Sequence, residues 1–168
     1  NDSCWFVLIE KAFAKACGGY KYIISGSSHI AMRLLFDYYS SSQSKIENLI
    51  PKKSLKEEKE KVENLNEKIF DFFLELIEKK AMVSTNISEK NSHKINDNIG
   101  LMSEHAYQVI KVCESENIQF IKLRNPWGIG KFEGQINLTK KNKEDLNYSE
   151  IDDGSFWMLL ENYFYYFT

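Results

Sequence analysis

Residues 105–128, HAYQVIKVCESENIQFIKLRNPWG, hold two β-rich runs around the polar turn Glu114-Ser115-Glu116-Asn117. That is the pattern of an antiparallel β-hairpin. Centring the hairpin on Ser115 sets His105 opposite Asn125, with β-carbons about 5 Å apart. A two-residue turn at Ser115-Glu116 moves the pairing by only one position. An imidazole beside a carboxamide oxygen has one ring N–H fixed. Its other nitrogen is then oriented to exchange a proton with a nucleophile. A carboxamide suits a cysteine nucleophile, because a thiolate–imidazolium pair needs orientation without a competing carboxylate charge. Pro126 biases Asn125 to an extended backbone, and Trp127 is expected to cover the pair. The same residues also read as an ordinary strand end and a plain Asn-Pro-Trp-Gly turn. Spacing alone does not separate the two readings.

Further strands flank the hairpin. AMVSTNI (81–87) and GSFWMLL (154–160) are β-rich. Ahead of them, residues 67–80 predict an amphipathic helix, with Ile69, Phe72, Phe73, Leu76 and Ile77 on one stripe and Glu75, Glu78, Lys79 and Lys80 facing away. Trp5, Leu8, Ile9, Ala12, Phe13 and Ala16 predict another over 5–16, capped by Asp2 or Ser3 and ended by Gly18-Gly19. A further helix is expected from near Ser28, carrying Ile30, Leu34 and Leu35. Residues 25–28, 88–99 and 133–154 read as loops. ENYFYYFT (161–168) reads as a short terminal helix or as more strand. Residues 41–66 are polar and charged, with a possible capping box at Ser54 and Glu57. They read as a solvated helix or a disordered insertion, or alternatively as an arm that binds a partner. Helices followed by antiparallel strands give an α+β class, with one twisted antiparallel sheet curled into a half-barrel or sandwich and flanked by helices.

Composition bounds the function. The 168 residues are 43% hydrophobic, enough for one real core. Twenty-two basic residues against 24 acidic ones leave a net charge of -2, which supplies no electrostatic footprint for nucleic acid. No apolar run reaches the length of a membrane span. NDSCWFVLIEKAFAK lacks the basic start and cleavage site of a secretory signal. Three cysteines at 4, 17 and 113 form neither a disulfide framework nor a C-x-x-C pair. A reducing, cytoplasmic setting is the expectation.

GLMSEHAYQVIKV (100–112), IKLRNPWG (121–128) and DDGSFWMLL (152–160) together resemble the second half of the calpain-type, papain-like cysteine protease core. WFVLIEKAFAKACGGYKYI resembles the opening helix of that half, and IFDFFLELIEKKAMVSTNI its middle helix and first strand. The resemblance spans residues 1–168 as one subdomain and omits most of 40–66. It implies a cysteine endopeptidase acting on protein substrates, with His105 as the catalytic base, Asn125 orienting it and Trp127 shielding the pair. The nucleophilic cysteine of such enzymes lies in a preceding half, in a Q-G-x-x-x-D-C-W type segment. No such segment occurs in these residues. The implied partner is therefore a Cys-bearing subdomain of the same parent protein, and the isolated chain is expected to be inactive.

Three departures qualify the resemblance. The family usually has glycine immediately before the catalytic histidine, where this chain has Glu104. The family's calcium site in this half uses acidic residues shortly after N-P-W-G, yet Lys131 stands where one is expected. Asp153 is then the remaining calcium candidate. The resemblance implies an enzyme of the calcium-regulated type, but calcium wants several oxygen ligands, so calcium as a cofactor does not come over with the fold. The insertion at 41–66 is the third departure.

Cys4-Trp5 at a helix start also imitates a papain-like nucleophile, because a helix N-terminus lowers a thiol pKa. Too few residues precede it to supply an oxyanion-hole glutamine. Cys17 and Cys113 read as structural thiols, and His29 and His93 lack metal-ligand spacing. Two further functions stay open. One is a non-catalytic scaffold of the same fold, the other an interaction domain working through 41–66.

Overall fold

In the computed structural model, which describes residues 4–24, 26, 30–31, 58–96 and 98–167, the hairpin closes on Glu116-Asn117. Both turn residues have positive φ, 53° and 61°. That matches the twist of a two-residue type I′ connection. Four strands follow one another as an open antiparallel meander: β1 (Val83–Asn86), β2 (Ala106–Ser115), β3 (Ile118–Arg124) and β4 (Ser155–Leu159). The class is α+β, as the element order implies.

One irregularity sets the core. Tyr107 and Val109 face inward on β2, and strict alternation would put Lys111 inward next. The register instead shifts between Val109 and Lys111. This β-bulge at Ile110 turns Lys111 out and restores Val112 to the core, 3% exposed. On β3 and β4 the faces then divide cleanly. Ile121, Leu123, Phe156 and Met158 join the main core, while Phe120 and Trp157 face the other way.

Helix α2 (Glu58–Glu78) supplies Ile69, Phe70 and Phe73 to the main core. It is longer than the sequence stripe and slightly rotated from it, since Phe70 is buried and Phe72 is 41% exposed. Residues 58–66 of the charged segment thus continue this helix, whereas the remainder, with Ser54 and Glu57, lies outside the described residues. Lys80 ends the helix at φ 56°, with Ala81 N–H donating to Leu76 O and Lys80 N–H to Ile77 O, both at 2.9 Å. This is a Schellman motif built without glycine.

The loop at 133–154 contains an unexpected short helix, α3 (Lys140–Asp145). Thr139 Oγ1 accepts from Asn142 N–H, and Asn142 Oδ1 accepts from Thr139 N–H, each at 3.0 Å. Asn142 is fully buried and also donates to Ser115 Oγ at 2.9 Å, while Ser115 donates to Asp145 at 2.6 Å. The hairpin end is thereby fastened to α3. Residues 160–167 of the aromatic tail form helix α4 (Leu160–Phe167). Its last carbonyls are taken by Asn91 and Lys94, from a 3-10 helix at Glu89–Lys94 within the 88–99 loop.

Tyr163 of α4 shares a 2.9 Å hydrogen bond with Thr85 and is 1% exposed. Burial pushes its phenol up to about 12, against a small opposing effect of the Thr85 bond. The raised value favours the neutral form in the folded chain. Its contribution is therefore complete below the unfolded pKa near 10 and is lost as pH rises through the folded value. The loss is on the order of 2–3 kcal/mol. Tyr163→Phe is expected to flatten that alkaline limb while costing about 1 kcal/mol at neutral pH. Urea melts at neutral and alkaline pH read both effects.

Residues 1–44 form a separate compact unit from residues 45–168. Within it, α1 (Trp5–Ala16) has the expected bounds. It ends in a second Schellman motif, with Gly19 N–H donating to Ala14 O at 2.7 Å and Gly18 at φ 91°. Cys4 occupies the N-cap position without a side-chain cap bond. Asp2 and Ser3 lie outside the described residues, as does the helix expected from Ser28, apart from helical Ile30 and Ala31.

Candidate active site

His105 sits one residue ahead of β2 and Asn125 one residue after β3, at the end of the sheet opposite the hairpin turn. Gln108 pairs with Arg124, so the register carries on to Tyr107 opposite Asn125 and His105 opposite Trp127. The sequence expectation of a directly facing His105–Asn125 pair is corrected by two positions. The I′ turn at Glu116-Asn117 moves the pairing by three positions, and the bulge at Ile110 takes one of them back. Diagonal neighbours on one face are still within reach of long side chains. His105 Nε2 and Asn125 Oδ1 are 2.9 Å apart.

The hydrogen bonds fix the chemistry of that contact. Trp127 N–H donates to the same Asn125 oxygen at 3.0 Å, and Asn125 Nδ2 donates to Ile129 O at 2.9 Å. An N–H can only meet an acceptor, so the amide cannot be flipped. The oxygen therefore faces His105, and Nε2 must carry the proton. In the neutral ring Nδ1 is then a bare acceptor. Asn125 is 6% exposed, which keeps water from competing for its amide.

The surroundings hold both residues. Asn125 N–H donates to Gly154 O at 2.8 Å, and its own carbonyl accepts from Gly128 N–H at 3.0 Å. His105 O accepts from Ile87 N–H at 3.4 Å, and Glu104 N–H donates to Ile87 O at 2.9 Å. The Trp127 ring lies 4.7 Å from the imidazole at a 58° tilt, as a cover over the ring, and is 60% exposed. Tyr107 meets the imidazole edge-on at 5.0 Å, and its hydroxyl accepts from Met102 N–H at 2.9 Å. Tyr107 and Gly154 were not singled out from sequence. Tyr107 had a visible signal, its place two residues after His105 on the same strand face. Glu104 is exposed and adopts φ 53°.

Cys4 is exposed and belongs to the 1–44 unit, whereas His105 belongs to the other. Cys113 is half-buried and leans on the carbonyls of Glu114 and Asp145. His93 Nδ1 meets Lys90 O at 2.7 Å, and His29 lies outside the described residues.

Asp153, the calcium candidate, holds the start of β4 through one carboxylate oxygen. Its carboxylate accepts from Ser155 Oγ at 2.6 Å and Ser155 N–H at 2.8 Å. These bonds, the hydroxyl first, hold its carboxyl below the usual range. The group caps the start of β4. Asp152 accepts from Gly130 N–H at 3.2 Å, and the Lys131 ammonium lies 4.0 Å from Glu133. Among the described residues no cluster of three or more His, Cys, Asp or Glu side chains could hold a metal ion. No described helix is long and apolar enough to cross a membrane.

Residues 1–168 match the calpain family cysteine protease domain. The chain is 26% identical over 196 residues to calpain-5 of Caenorhabditis elegans, covering 98% of this chain and 29% of that protein. It is 27% identical over 190 residues to calpain-5 of Mus musculus, covering 100% and 28%. It is 23% identical over 177 residues to calpain-9 of Homo sapiens, covering 97% and 23%. The chain thus spans under a third of the length of these relatives.

Proposed function

Because this chain belongs to the calpain family of cysteine proteases, we propose that it supplies the proton-transfer half of a thiol endopeptidase centre. In this reading His105 is the base, Asn125 orients it and Trp127 shields it. The nucleophilic cysteine comes from another part of the parent protein. The observation that carries the reading is the 2.9 Å contact between His105 Nε2 and Asn125 Oδ1, which leaves Nδ1 as the free acceptor.

The steps follow from that tautomer. Nδ1 takes the thiol proton, giving a thiolate and an imidazolium. The imidazolium's second N–H is already paired with a neutral amide oxygen, so the thiolate is the nearest countercharge. The thiolate attacks the peptide carbonyl carbon, and the imidazolium returns its proton to the leaving amine as the C–N bond breaks. Water then displaces the cysteine from the acyl group, with Nδ1 again taking the proton. Protein substrates and the Cys-bearing subdomain are the partners this scheme requires. Calcium regulation is no part of this scheme.

The test is reconstitution of the complete protein. It is expected to cleave unstructured peptides and to be labelled at the partner cysteine by a thiol-directed epoxide, while this chain alone does neither. Stoichiometric labelling of Cys4 in the isolated chain would instead make that residue the nucleophile. Asn125→Ala is expected to lower kcat/KM in the complete protein on the order of 10- to 100-fold, through lost orientation. It should also cost about 2 kcal/mol of stability, since a buried acceptor of two N–H groups is removed. Steady-state kinetics and thermal melts measure the two losses separately.

A further inference from the structure

Tyr107 is the neighbour of the base that the proton-transfer reading leaves without a task. Its hydroxyl accepts from Met102 N–H at 2.9 Å. That bond joins residues on either side of His105, so the chain from Met102 to Tyr107 closes into a ring on which the imidazole rides. Residues 102–105 lie ahead of β2 and have no strand ladder to fix them. Glu104, among them, holds φ 53°, a conformation that costs an L residue about 1–2 kcal/mol. Such residues persist where the surroundings over-determine them. Glu104 N–H donates to Ile87 O at 2.9 Å, but the Ile87 N–H bond to His105 O is long, at 3.4 Å. The Tyr107 hydroxyl supplies the tie on the other side of Glu104. The ring makes that tie rigid. It is 1% exposed, and Phe156 and Phe167 meet it edge-on at 5.9 and 5.6 Å. The same ring meets the imidazole at 5.0 Å and 88°. Trp127, the other aromatic neighbour of the base, is 60% exposed. Of the two, Tyr107 is the anchored one.

We infer that Tyr107 is a positioning residue for the proton transfer: its hydroxyl and its buried ring together keep His105 Nε2 on Asn125 and Nδ1 free for the reacting thiol. This rests on the protease reading and deepens it. Phenylalanine at 107 fills the same core space but accepts no hydrogen bond. Met102 N–H then loses its partner, and the segment carrying Glu104 is free to relax its positive φ. Rotation just ahead of His105 swings the imidazole, and a misplacement of about 1 Å at the reacting nitrogen is enough to slow the transfer.

The experiment compares the complete protein with its Tyr107→Phe variant. Peptide hydrolysis is measured per active site, titrated with a thiol-directed epoxide, so that a smaller folded fraction does not count. Hydrogen–deuterium exchange at the His105 ring carbon between the two nitrogens is read by mass spectrometry, with His93 as the internal reference. In the variant kcat is expected to fall about fivefold with KM unchanged. The His105 ring should exchange several-fold faster relative to His93, because a ring released from its place meets water more often. Tyr107→Leu, which also removes the ring, should lower kcat further, on the order of 10- to 100-fold. Should that variant fail to fold, Tyr107→Phe decides alone. A kcat within about twofold of the parent, or an unchanged His105 exchange, overturns the inference and leaves the protease reading standing. Faster His105 exchange in the variant of a protein without turnover supports the placement by Tyr107 while the protease reading falls. Unchanged exchange without turnover overturns both.

Discussion

His105→Ala, made in the complete protein, is expected to lower kcat/KM by about 10^4-fold, the upper range for removing a positioned acid–base group. The chain itself should stay folded. The substitution deletes one side-chain hydrogen bond and two ring contacts from a half-buried position. That costs about 1–2 kcal/mol. The backbone bond from Ile87 N–H to His105 O does not involve the ring. His105→Gln sharpens the comparison. A glutamine amide can still donate to Asn125 Oδ1, but it cannot take a thiol proton. It should therefore recover part of the stability and none of the activity. Fluorogenic peptide kinetics beside thermal melts make the measurement, and activity within tenfold of the parent in either variant removes His105 from the mechanism.

Gly154→Ala is expected to be the most damaging single-methyl change at the site, at about 3 kcal/mol. Gly154 lies at φ 78°, where an L side chain costs about 1–2 kcal/mol. Its added Cβ would also fall 2.8 Å from Gly128 C and 2.9 Å from both Gly128 Cα and Asn125 O. All three are backbone atoms of the Asn-Pro-Trp-Gly turn, so relief requires moving the turn. Gly154 O also accepts the Asn125 N–H. Displacing the turn drags the amide away from His105, and hydrolysis should fall roughly tenfold or more through lost alignment. Gly154→Asn separates the causes, because asparagine tolerates positive φ but carries the same Cβ. If Asn is nearly as harmful as Ala in denaturant melts, the backbone contact dominates. If Asn is nearly neutral, the contact is not limiting.

These two sites differ in how far the sequence exposes them. The hairpin was readable from β-rich runs around a polar turn, and helix 5–16 from its apolar spacing. The register was not readable. Nothing local marks Glu116-Asn117 as the turn rather than Ser115-Glu116, and the bulge at Ile110 only shows once Lys111 must be kept out of the core. The His105–Asn125 contact was anticipated all the same, because long side chains tolerate a diagonal offset. Helix α3 was missed because KKNKED has no apolar stripe; its one signal was the Thr139–Asn142 cap. Phe70 and Phe72 of α2 flank the Ile69–Phe73 stripe on opposite sides, and tertiary packing chose Phe70. The strain at Glu104 and the close approach at Gly154 are properties of chains meeting in space, beyond any periodicity.

The proline after Asn125 also bears on how long the site survives. Asparagine ages by deamidation when the next residue's backbone nitrogen loses its proton and attacks the side-chain carbonyl, closing a succinimide. Pro126 has no such proton to lose. Hydrolysis of that ring elsewhere in a chain yields aspartate, and an aspartate at 125 would set a negative charge against the imidazole and hold its proton too firmly for release. The Asn-Pro pair thus protects the neutral partner of His105 from slow chemical damage, and mass spectrometry of aged protein should find residue 125 intact after exposed Asn-Gly or Asn-Ser sites in other proteins have converted.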